Sequence, residues 1–322
     1  MRKNYKNGMV KMKIGVVIPA YKVCDVVCDV VKSLPPTVDH IIVVDDKCPY
    51  FSGKEVQKLS DKRIVVLYHE RNEGVGGSMI TGYKKAIELG CDIVIKMDGD
   101  GQMDPLYIDK LILPLLNDEA DYSKGNRFMN FNVLKIMPKV RLFGNSVLSF
   151  LLKITSGYWS IMDPTNGYTA ISRTILKEIE LDKLSKRYFF ESDMLIHLNI
   201  INAVVKDISI PSKYGDEESS LSVGKAIIQF PFKLIKGFVK RIFLKYFIYD
   251  FNMASVYILL GMPMFFGGIL LGLIEWRDSV IHGTAKPLGT IMLLTLSITL
   301  SFQMLLQAIS IDINLTSKKK GT

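Results

Sequence analysis

The sequence predicts an open, doubly wound α/β sheet followed by a hairpin of two membrane-spanning helices. Between Met12 and about Ser212, short β-branched runs alternate with amphipathic helical patterns, as in parallel sheets whose strands are joined by helices. Farther along, Phe251–Ile274 and Pro287–Ile311 contain no charged residue. Each stretch exceeds the roughly 20 apolar residues that a helix needs to cross a bilayer.

The composition excludes two classes of protein. With 48% hydrophobic and 23% charged residues over 322 positions, the chain is too apolar to remain disordered. Its four cysteines are too few for a disulfide-stapled secreted scaffold and lack the paired spacing of a zinc site. We therefore expect reduced thiols at Cys24, Cys28, Cys48 and Cys91, in a chain of formal net charge +9.

Each element of the predicted sheet has its own pattern. Buried strands are predicted at Ile14–Ile18, Ile41–Val44, Ile64–Leu67 and Ile93–Lys96, with helices at Val26–Leu34, Ser78–Leu89 and Leu106–Leu116. Ligands of such sheets bind at the carboxyl ends of the strands. The polar motifs fall at those ends: Pro19-Ala20-Tyr21 after the first strand, Asp45-Asp46 after the second and Asp98-Gly99-Asp100 after the fourth.

The segment Asp98-Gly-Asp-Gly-Gln102 is the strongest candidate for chemistry. Two carboxylates and an amide follow an apolar strand, and the intervening glycines allow a backbone or ligand to approach closely. Such oxygen ligands suit Mg²⁺ or Mn²⁺, which typically hold a substrate pyrophosphate. A calcium-binding EF-hand is excluded because no Glu stands at the twelfth position. The alternative is a solvated turn rich in Asp and Gly.

Other motifs are weaker when taken singly. The glycine-rich turn Asn72–Ser78 lacks the Lys of a phosphate-binding P-loop and is equally consistent with a tight turn or a nucleotide contact. Arginines near an anionic substrate would form bidentate phosphate contacts, but position alone does not place them there. The remaining polar motifs are Gly125-Asn-Arg127, Arg141, Asp163-Pro-Thr-Asn-Gly-Tyr168 and Glu191-Ser-Asp193.

The charges beside the two apolar stretches predict their orientation. Lysines and an arginine crowd residues 225–245, and three lysines occupy 318–320, whereas the connecting loop is nearly balanced. By the positive-inside tendency, both outer ends are cytoplasmic. Residues 224–249 interleave apolar and basic side chains at near-helical spacing, which predicts an amphipathic helix in the anionic interface rather than a nucleic-acid-binding stripe. The short run Ile14–Ala20 is not a signal peptide.

With these motifs in order, the chain resembles the inverting family-2 glycosyltransferases of the GT-A fold. Within them it is most similar to polyprenyl-phosphate sugar transferases related to dolichol-phosphate mannose synthase, over Ile14 to Leu221. It departs from the family at Lys22-Val23 and Cys48, so the base of the nucleotide, uridine or guanosine, stays open. Met103 stands where the family often has His, but the metal residues are intact. The Q-x-x-R-W motif of processive synthases is absent, and elongation of a polymer is not expected.

The resemblance implies transfer of one sugar from a nucleotide-sugar to a polyprenyl phosphate, with Mg²⁺ or Mn²⁺ as cofactor. Arg127 and Arg141 would neutralise the acceptor phosphate. If the acceptor is instead a hydroxyl, Asp163 is the preferred general base and Asp193 is the second choice. The catalytic set is Asp100, Arg127, Arg141 and Asp163; the metal set is Asp98, Asp100 and Gln102; the nucleotide-sugar set is Pro19, Ala20, Tyr21, Asp46, Asn72, Gly74 and Asp98.

The expected organisation is a cytosolic catalytic domain over 1–222, amphipathic helices over 223–250 and a hairpin over 251–322, with spans at about 251–275 and 287–311. The protein is expected in the cell membrane, acting in cell-envelope glycan synthesis, without nucleic acid; homo-oligomerisation is left open. Two alternatives remain: transfer to a glycan or protein hydroxyl, and a membrane-anchored partner that binds nucleotide-sugars without turnover.

Overall fold

The computed structural model describes residues 2–5, 8–127, 139–164, 166–211 and 223–315. The chain divides into two compact units, one of residues 1–241 together with 317–322, the other of residues 242–316. The division falls inside a helix. The domain boundary predicted at residue 222 and the basic tail at 318–320 lie outside the described residues.

The first unit is built on a seven-stranded mixed sheet, preceded by a two-stranded hairpin. The hairpin consists of β1 (Arg2–Tyr5) and β2 (Gly8–Lys11). The sheet consists of β3 (Ile14–Ala20), β4 (His40–Asp45), β5 (Ile64–Tyr68), β6 (Ile93–Lys96), β7 (Tyr122–Asn126), β8 (Thr169–Ser172) and β9 (Val205–Ser209). Its order is β5-β4-β3-β6-β8-β7-β9, with β8 antiparallel to both neighbours and the other pairs parallel.

Helices cover both faces of this sheet. They are α1 (Cys24–Ser33), α2 (Ser52–Gln57), α3 (Val75–Glu88), α4 (Ile108–Leu116), α5 (Lys139–Ser156), α6 (Arg173–Glu178), α7 (Phe190–Ile200) and α8 (Val223–Phe243). Strand residues alternate between two cores, as the period of two requires. In β3, for example, Val17 packs with Met79 and Leu195 on one face, while Val16 packs with Val27 and Ile112 on the other.

The sheet order creates a crevice at its carboxyl edge. After the edge strand β5, the chain crosses to β6 on the other side of β3. The strand order therefore reverses between β3 and β6, which is where open α/β sheets bind ligands. The four predicted strands are confirmed to within two residues at each end, and the polar motifs after β3, β4 and β6 meet this edge.

The second unit contains a π-helical turn (Leu244–Tyr249) and two long helices, α9 (Met253–His282) and α10 (Leu288–Asn314). Both helices are long and apolar enough to cross a membrane, and few residues of their apolar stretches are buried. Gly268 allows close packing, since a side chain there would lie 2.9 Å from Cγ1 of Ile298. Helix α9 extends past the predicted end near residue 275, and Lys286 of the loop pairs with Glu275 at 2.8 Å.

Candidate active site

The turn after β6 carries Asp98 and Asp100 at the crevice. Gly99 packs against the end of β3, since a side chain there would lie 3.3 Å from the carbonyl oxygen of Pro19. The Asp98 side chain is 31% exposed, and its Oδ1 lies 2.7 Å from the Lys96 ammonium. Oδ1 of Asp100 accepts the backbone N–H of Gln102 at 3.0 Å. The structure thus brings the predicted metal residues and the Pro19 motif to one place.

Asp46 anchors the glycine-rich turn. Its buried carboxylate accepts the backbone N–H groups of Glu73 at 2.8 Å and Gly74 at 2.7 Å. It also lies 2.7 Å from Nδ1 of His69, whose Nε2 meets Thr81 Oγ1 at 2.9 Å. This geometry gives Asp46 an internal role in shaping the loop. A direct contact of its carboxylate with a nucleoside stays a prediction.

The glycines of that turn make room for protein backbone. Gly74 has φ +84° and a side chain there would lie 2.7 Å from the Lys186 carbonyl. That carbonyl accepts the N–H of Gly77 at 2.9 Å. Close packing therefore explains Gly74, while contacts of Asn72 and Gly74 with a nucleotide stay predictions.

Cys48 bridges the loops that follow β3 and β4. Its sulfur accepts the N–H of Lys22 at 3.1 Å and lies 3.1 Å from the Ser52 hydroxyl. Lys22, Lys47 and Phe51 adopt positive φ of 58°, 57° and 56°, a conformation that costs side-chain-bearing residues energy. The thiol thus joins two loops of strained backbone beside the exposed Tyr21 ring.

Arg127 and Asp163 form the other side of the site. Nε of Arg127 donates to Oδ2 of Asp163 at 2.7 Å, and Nη2 donates to Oδ1 at 3.1 Å. Asp163 is fully buried, whereas the arginine side chain is 38% exposed. Both carboxylate oxygens are therefore engaged by the guanidinium of a partly exposed arginine. Arg141 lies in α5 at a position whose side chain is outside the described part of the structure.

Asp193 is bonded to the loop that precedes α7. Its Oδ2 accepts both the N–H and the hydroxyl of Ser185 at 2.8 Å, and its backbone carbonyl lies 2.9 Å from Nδ1 of His197. These bonds fix the loop before α7. The carboxylate therefore serves local structure, and the geometry gives no support to Asp193 as a reserve base.

Known proteins are similar to this chain. Residues 15–180 match the family described as Glycosyl transferase family 2. The UDP-N-acetylglucosamine–dolichyl-phosphate N-acetylglucosaminyltransferase of Methanococcus voltae is 35% identical over 61% of this chain and 85% of its own length. The undecaprenyl-phosphate mannosyltransferase of Micrococcus luteus is 26% identical over 67% of this chain and 92% of its own. The chain belongs to glycosyl transferase family 2.

Solved structures place this glycosyltransferase in the GT-A fold. Glucosyl-3-phosphoglycerate synthase from Mycobacterium tuberculosis, crystallised with Mn²⁺, UDP and phosphoglyceric acid, matches with a TM-score of 0.52 and 17% identity over 71% of this chain and 78% of that one. Mannosyl-3-phosphoglycerate synthase from Rubrobacter xylanophilus gives 0.55 and 14% over 75% and 77%. The predicted fold and family are confirmed.

In this glycosyltransferase, the side-chain oxygens of the Asp98 turn suit a divalent cation that binds together with a substrate. No group of three or more His, Cys, Asp or Glu side chains suited to a metal occurs among the described residues. Two carboxylates and an amide on one turn leave coordination positions for phosphate oxygens and water, the arrangement that Mg²⁺ favours. The residues present therefore suit a metal held jointly by protein and diphosphate.

Asp207, which no sequence motif marks, links the two segments that carry Arg127 and Asp163. Its Oδ2 accepts the side-chain amide of Asn126 at 2.7 Å and the N–H of Met162 at 2.8 Å. These residues immediately precede Arg127 and Asp163. Burial raises the pKa of Asp207 to about 6, although the bonds from Met162 and Asn126 and the nearby Lys124 oppose the shift.

This raised pKa predicts a specific pH dependence of stability. The folded protein keeps the Asp207 proton up to about pH 6, whereas the unfolded chain loses it near the ordinary value of 3.8. The stabilising contribution is thus complete at low pH and is lost as the pH rises from about 4 to about 6. Relative to Asp207→Asn, the wild type should lose thermal stability over this interval, measured as unfolding midpoints in detergent. Asp109→Asn, at an exposed position, is the control. If the unfolding midpoints of the wild type and Asp207→Asn differ by the same amount at about pH 4 and at about pH 6, the raised pKa of Asp207 is contradicted.

Proposed function

We propose that this glycosyltransferase moves one sugar from a nucleotide-sugar to a polyprenyl phosphate at the cytoplasmic face of a membrane. The observation that carries the proposal is the Arg127–Asp163 pair. A buried carboxylate whose oxygens are both bonded to a guanidinium is poorly placed to take a proton from a hydroxyl acceptor. The partly exposed guanidinium is well suited to a phosphate. The relatives named for dolichyl-phosphate and undecaprenyl-phosphate substrates support the same acceptor class.

The proposed reaction needs positive charge more than a base. A phosphate monoester is already ionised near pH 7, its second pKa being about 6, so its oxygen can attack the anomeric carbon directly. The new C–O bond forms on the face opposite the bond to the departing diphosphate. Arg127 would hold the attacking phosphate, and Arg141 is proposed to assist it. Asp98, Asp100 and Gln102 would hold Mg²⁺ or Mn²⁺, which offsets charge developing on the leaving diphosphate.

Apolar side chains of the first unit support contact with lipid. In α8, Leu234 is buried and Gly237 packs so tightly on α7 that a side chain there would lie 2.5 Å from Ile196. On the same helix Phe232, Ile235 and Val239 are 74%, 63% and 58% exposed. An apolar exposed face on a lysine-containing helix is typical of interfacial helices. We therefore propose that this face enters the headgroup region, and that the two-helix hairpin keeps the enzyme at its lipid substrate.

Within α8, Arg241 joins the helix to the catalytic body. It is fully buried, and its guanidinium donates to the carbonyl oxygens of Thr155 at 2.9 Å and Ile154 at 3.0 Å. These are among the last carbonyls of α5, which helical bonding leaves unpaired. A cation at the end of a helix is also favoured by its dipole. The contact fixes the exposed face of α8 relative to the sheet of the same unit.

The topology is testable by cysteine labelling. Both chain ends should be cytoplasmic, because lysines outnumber acidic residues on the outer flanks of the hairpin. An impermeant maleimide applied to intact cells should label Ser279→Cys in the connecting loop and leave Thr322→Cys unlabelled. The parent chain with its native cysteines is the control, expected to react only after permeabilisation. The opposite labelling pattern would contradict the topology.

The reaction is tested by supplying washed membranes or a short-chain polyprenyl phosphate with Mn²⁺ and a set of UDP- and GDP-sugars. A glycosyl polyprenyl phosphate identified by mass spectrometry is the expected product. Release of nucleoside diphosphate without a lipid product, but with a modified glycan or protein, would favour a hydroxyl acceptor. Absence of any release with every donor would favour a non-catalytic binding partner.

A further inference from the structure

A lysine ends strand β6, in which every residue is buried. Lys96 closes β6 with its side chain 2% exposed. Its ammonium lies 2.7 Å from Oδ1 of Asp98 and 3.2 Å from Oε1 of Glu191, which belongs to the first turn of α7. Removing an ammonium from water costs several kcal/mol unless charged partners replace the water. Here the carboxylates of Asp98 and Glu191 take that part, and Lys96 is held between them beneath the Asp98 turn.

The backbone at Gly167 approaches this ammonium closely. A side chain at Gly167 would collide with the Lys96 ammonium and would lie 2.9 Å from Oδ2 of Asp98. The loop of the Asp163–Tyr168 motif is thus packed directly on the ion pair. In the sheet, Lys96 stands opposite Thr169, which stands opposite Lys124 on the next strand. Lys124 is engaged separately, by the carbonyl oxygen of Asn166.

We propose that Lys96 is a positioning residue for the donor side of the site, with Glu191 as its counter-charge. The hydrogen bond to Oδ1 fixes the plane of the Asp98 carboxylate and hence the direction of Oδ2. A cation bound with the nucleoside diphosphate would then be coordinated by Oδ2 of Asp98 in a fixed orientation, with no need to immobilise a rotating carboxylate. This inference rests on the proposed function, because it assumes that Asp98 meets that cation. Partners that orient ligating carboxylates typically change metal affinity about 10- to 100-fold when they are removed.

A charge-balanced double variant separates orientation from electrostatics. Lys96→Met together with Glu191→Gln removes one positive and one negative charge, so the net charge of the site is unchanged and Glu191 is not left buried without its counter-ion. The full chain in detergent is mixed with Mn²⁺ and UDP, or with GDP, and free Mn²⁺ is read from its paramagnetic resonance signal. Thermal unfolding midpoints are measured on the same samples.

The double variant should keep a midpoint close to that of the wild type and bind Mn²⁺ with the nucleotide about 10- to 100-fold more weakly. Glu191→Gln alone retains the Lys96–Asp98 bond and should bind Mn²⁺ as the wild type does. A folded double variant with wild-type Mn²⁺ affinity overturns the proposal. If the double variant does not fold, weak Mn²⁺ binding by Glu191→Gln overturns it, and wild-type binding by Glu191→Gln supports it.

These measurements do not depend on an acceptor. A wild type that binds Mn²⁺ and nucleotide but fails to glycosylate a polyprenyl phosphate refutes the proposed function and leaves the role of Lys96 standing. A wild type that binds no Mn²⁺ with either nucleotide overturns the role of Lys96, since Asp98 then has no cation to meet.

Discussion

Asp100→Asn is expected to reduce sugar transfer about a hundredfold or more while the fold is retained. The reason is electrostatic: a metal at a diphosphate supplies several kcal/mol of charge stabilisation, and about 1.4 kcal/mol corresponds to a factor of ten in rate. The amide keeps the shape of the side chain and one oxygen that can accept the Gln102 N–H. Only the negative charge is lost. Initial rates at several Mn²⁺ concentrations measure the effect, which higher Mn²⁺ should partly reverse.

Asp109→Asn provides the matched control for that experiment. It makes the same chemical change at an exposed position in α4, a helix that follows the Asp98 turn. Its rates and Mn²⁺ dependence should equal those of the wild type. Near-normal turnover by Asp100→Asn, together with indifference of the wild type to EDTA, would show that the turn does not hold a catalytic metal.

Arg127→Ala is expected to abolish most transfer to a polyprenyl phosphate. The change removes the cation that would bind the acceptor and also removes the guanidinium that pairs with the fully buried Asp163. Breaking such a buried pair costs about 3–5 kcal/mol of stability. Folding loss could therefore imitate a loss of function. Arg127→Ala combined with Asp163→Asn removes both charges, and it should recover thermal stability without recovering activity.

Asp163→Asn separates positioning from base catalysis. Asn can keep one hydrogen bond to Arg127 but not the charged bidentate pair, so the guanidinium stays present but poorly held. We expect a raised KM for the polyprenyl phosphate, a smaller loss in kcat and unchanged hydrolysis of the donor in the absence of acceptor. A general base would contribute about 10²–10⁴ in rate. An inactive Asp163→Asn beside nearly normal Arg127 variants would therefore favour a hydroxyl acceptor.

The parallel core of the sheet could be predicted because its signals are local. The residues of a run such as Ile93–Lys96 predict a strand by themselves, and the helices around it show the helical period. The antiparallel β8 could not be predicted in this way. It is a four-residue segment, Thr169–Ser172, that pairs with β6 and β7. Nothing within four residues specifies partners that lie more than 40 positions away.

In the candidate site, too, the residues with a local sequence signal could be predicted and those that depend on distant contacts could not. The Asp98–Gln102 turn could be found because its oxygen ligands are close together in sequence and follow an apolar strand. Asp46 was identified as a donor-side residue, but its bonds to His69 and Gly74 depend on loops 23 and 28 positions away. Asp207 had no signal at all, since a lone Asp on an edge strand resembles a solvated surface residue.

The sequence by itself determined the strands β3 to β6 with the helices α1, α3 and α4, the carboxylate turn at the sheet edge and the two apolar helices. These follow from periodicity, spacing and hydrophobicity, which act over neighbouring residues. Only the tertiary structure decided that Asp163 is sealed beneath Arg127 and that Lys96 is neutralised by Asp98 and Glu191. The cost of burying a charged side chain is offset where folding brings it an opposite charge. For Arg127 and Asp163, and for Lys96 and Glu191, that charge comes from a distant part of the chain.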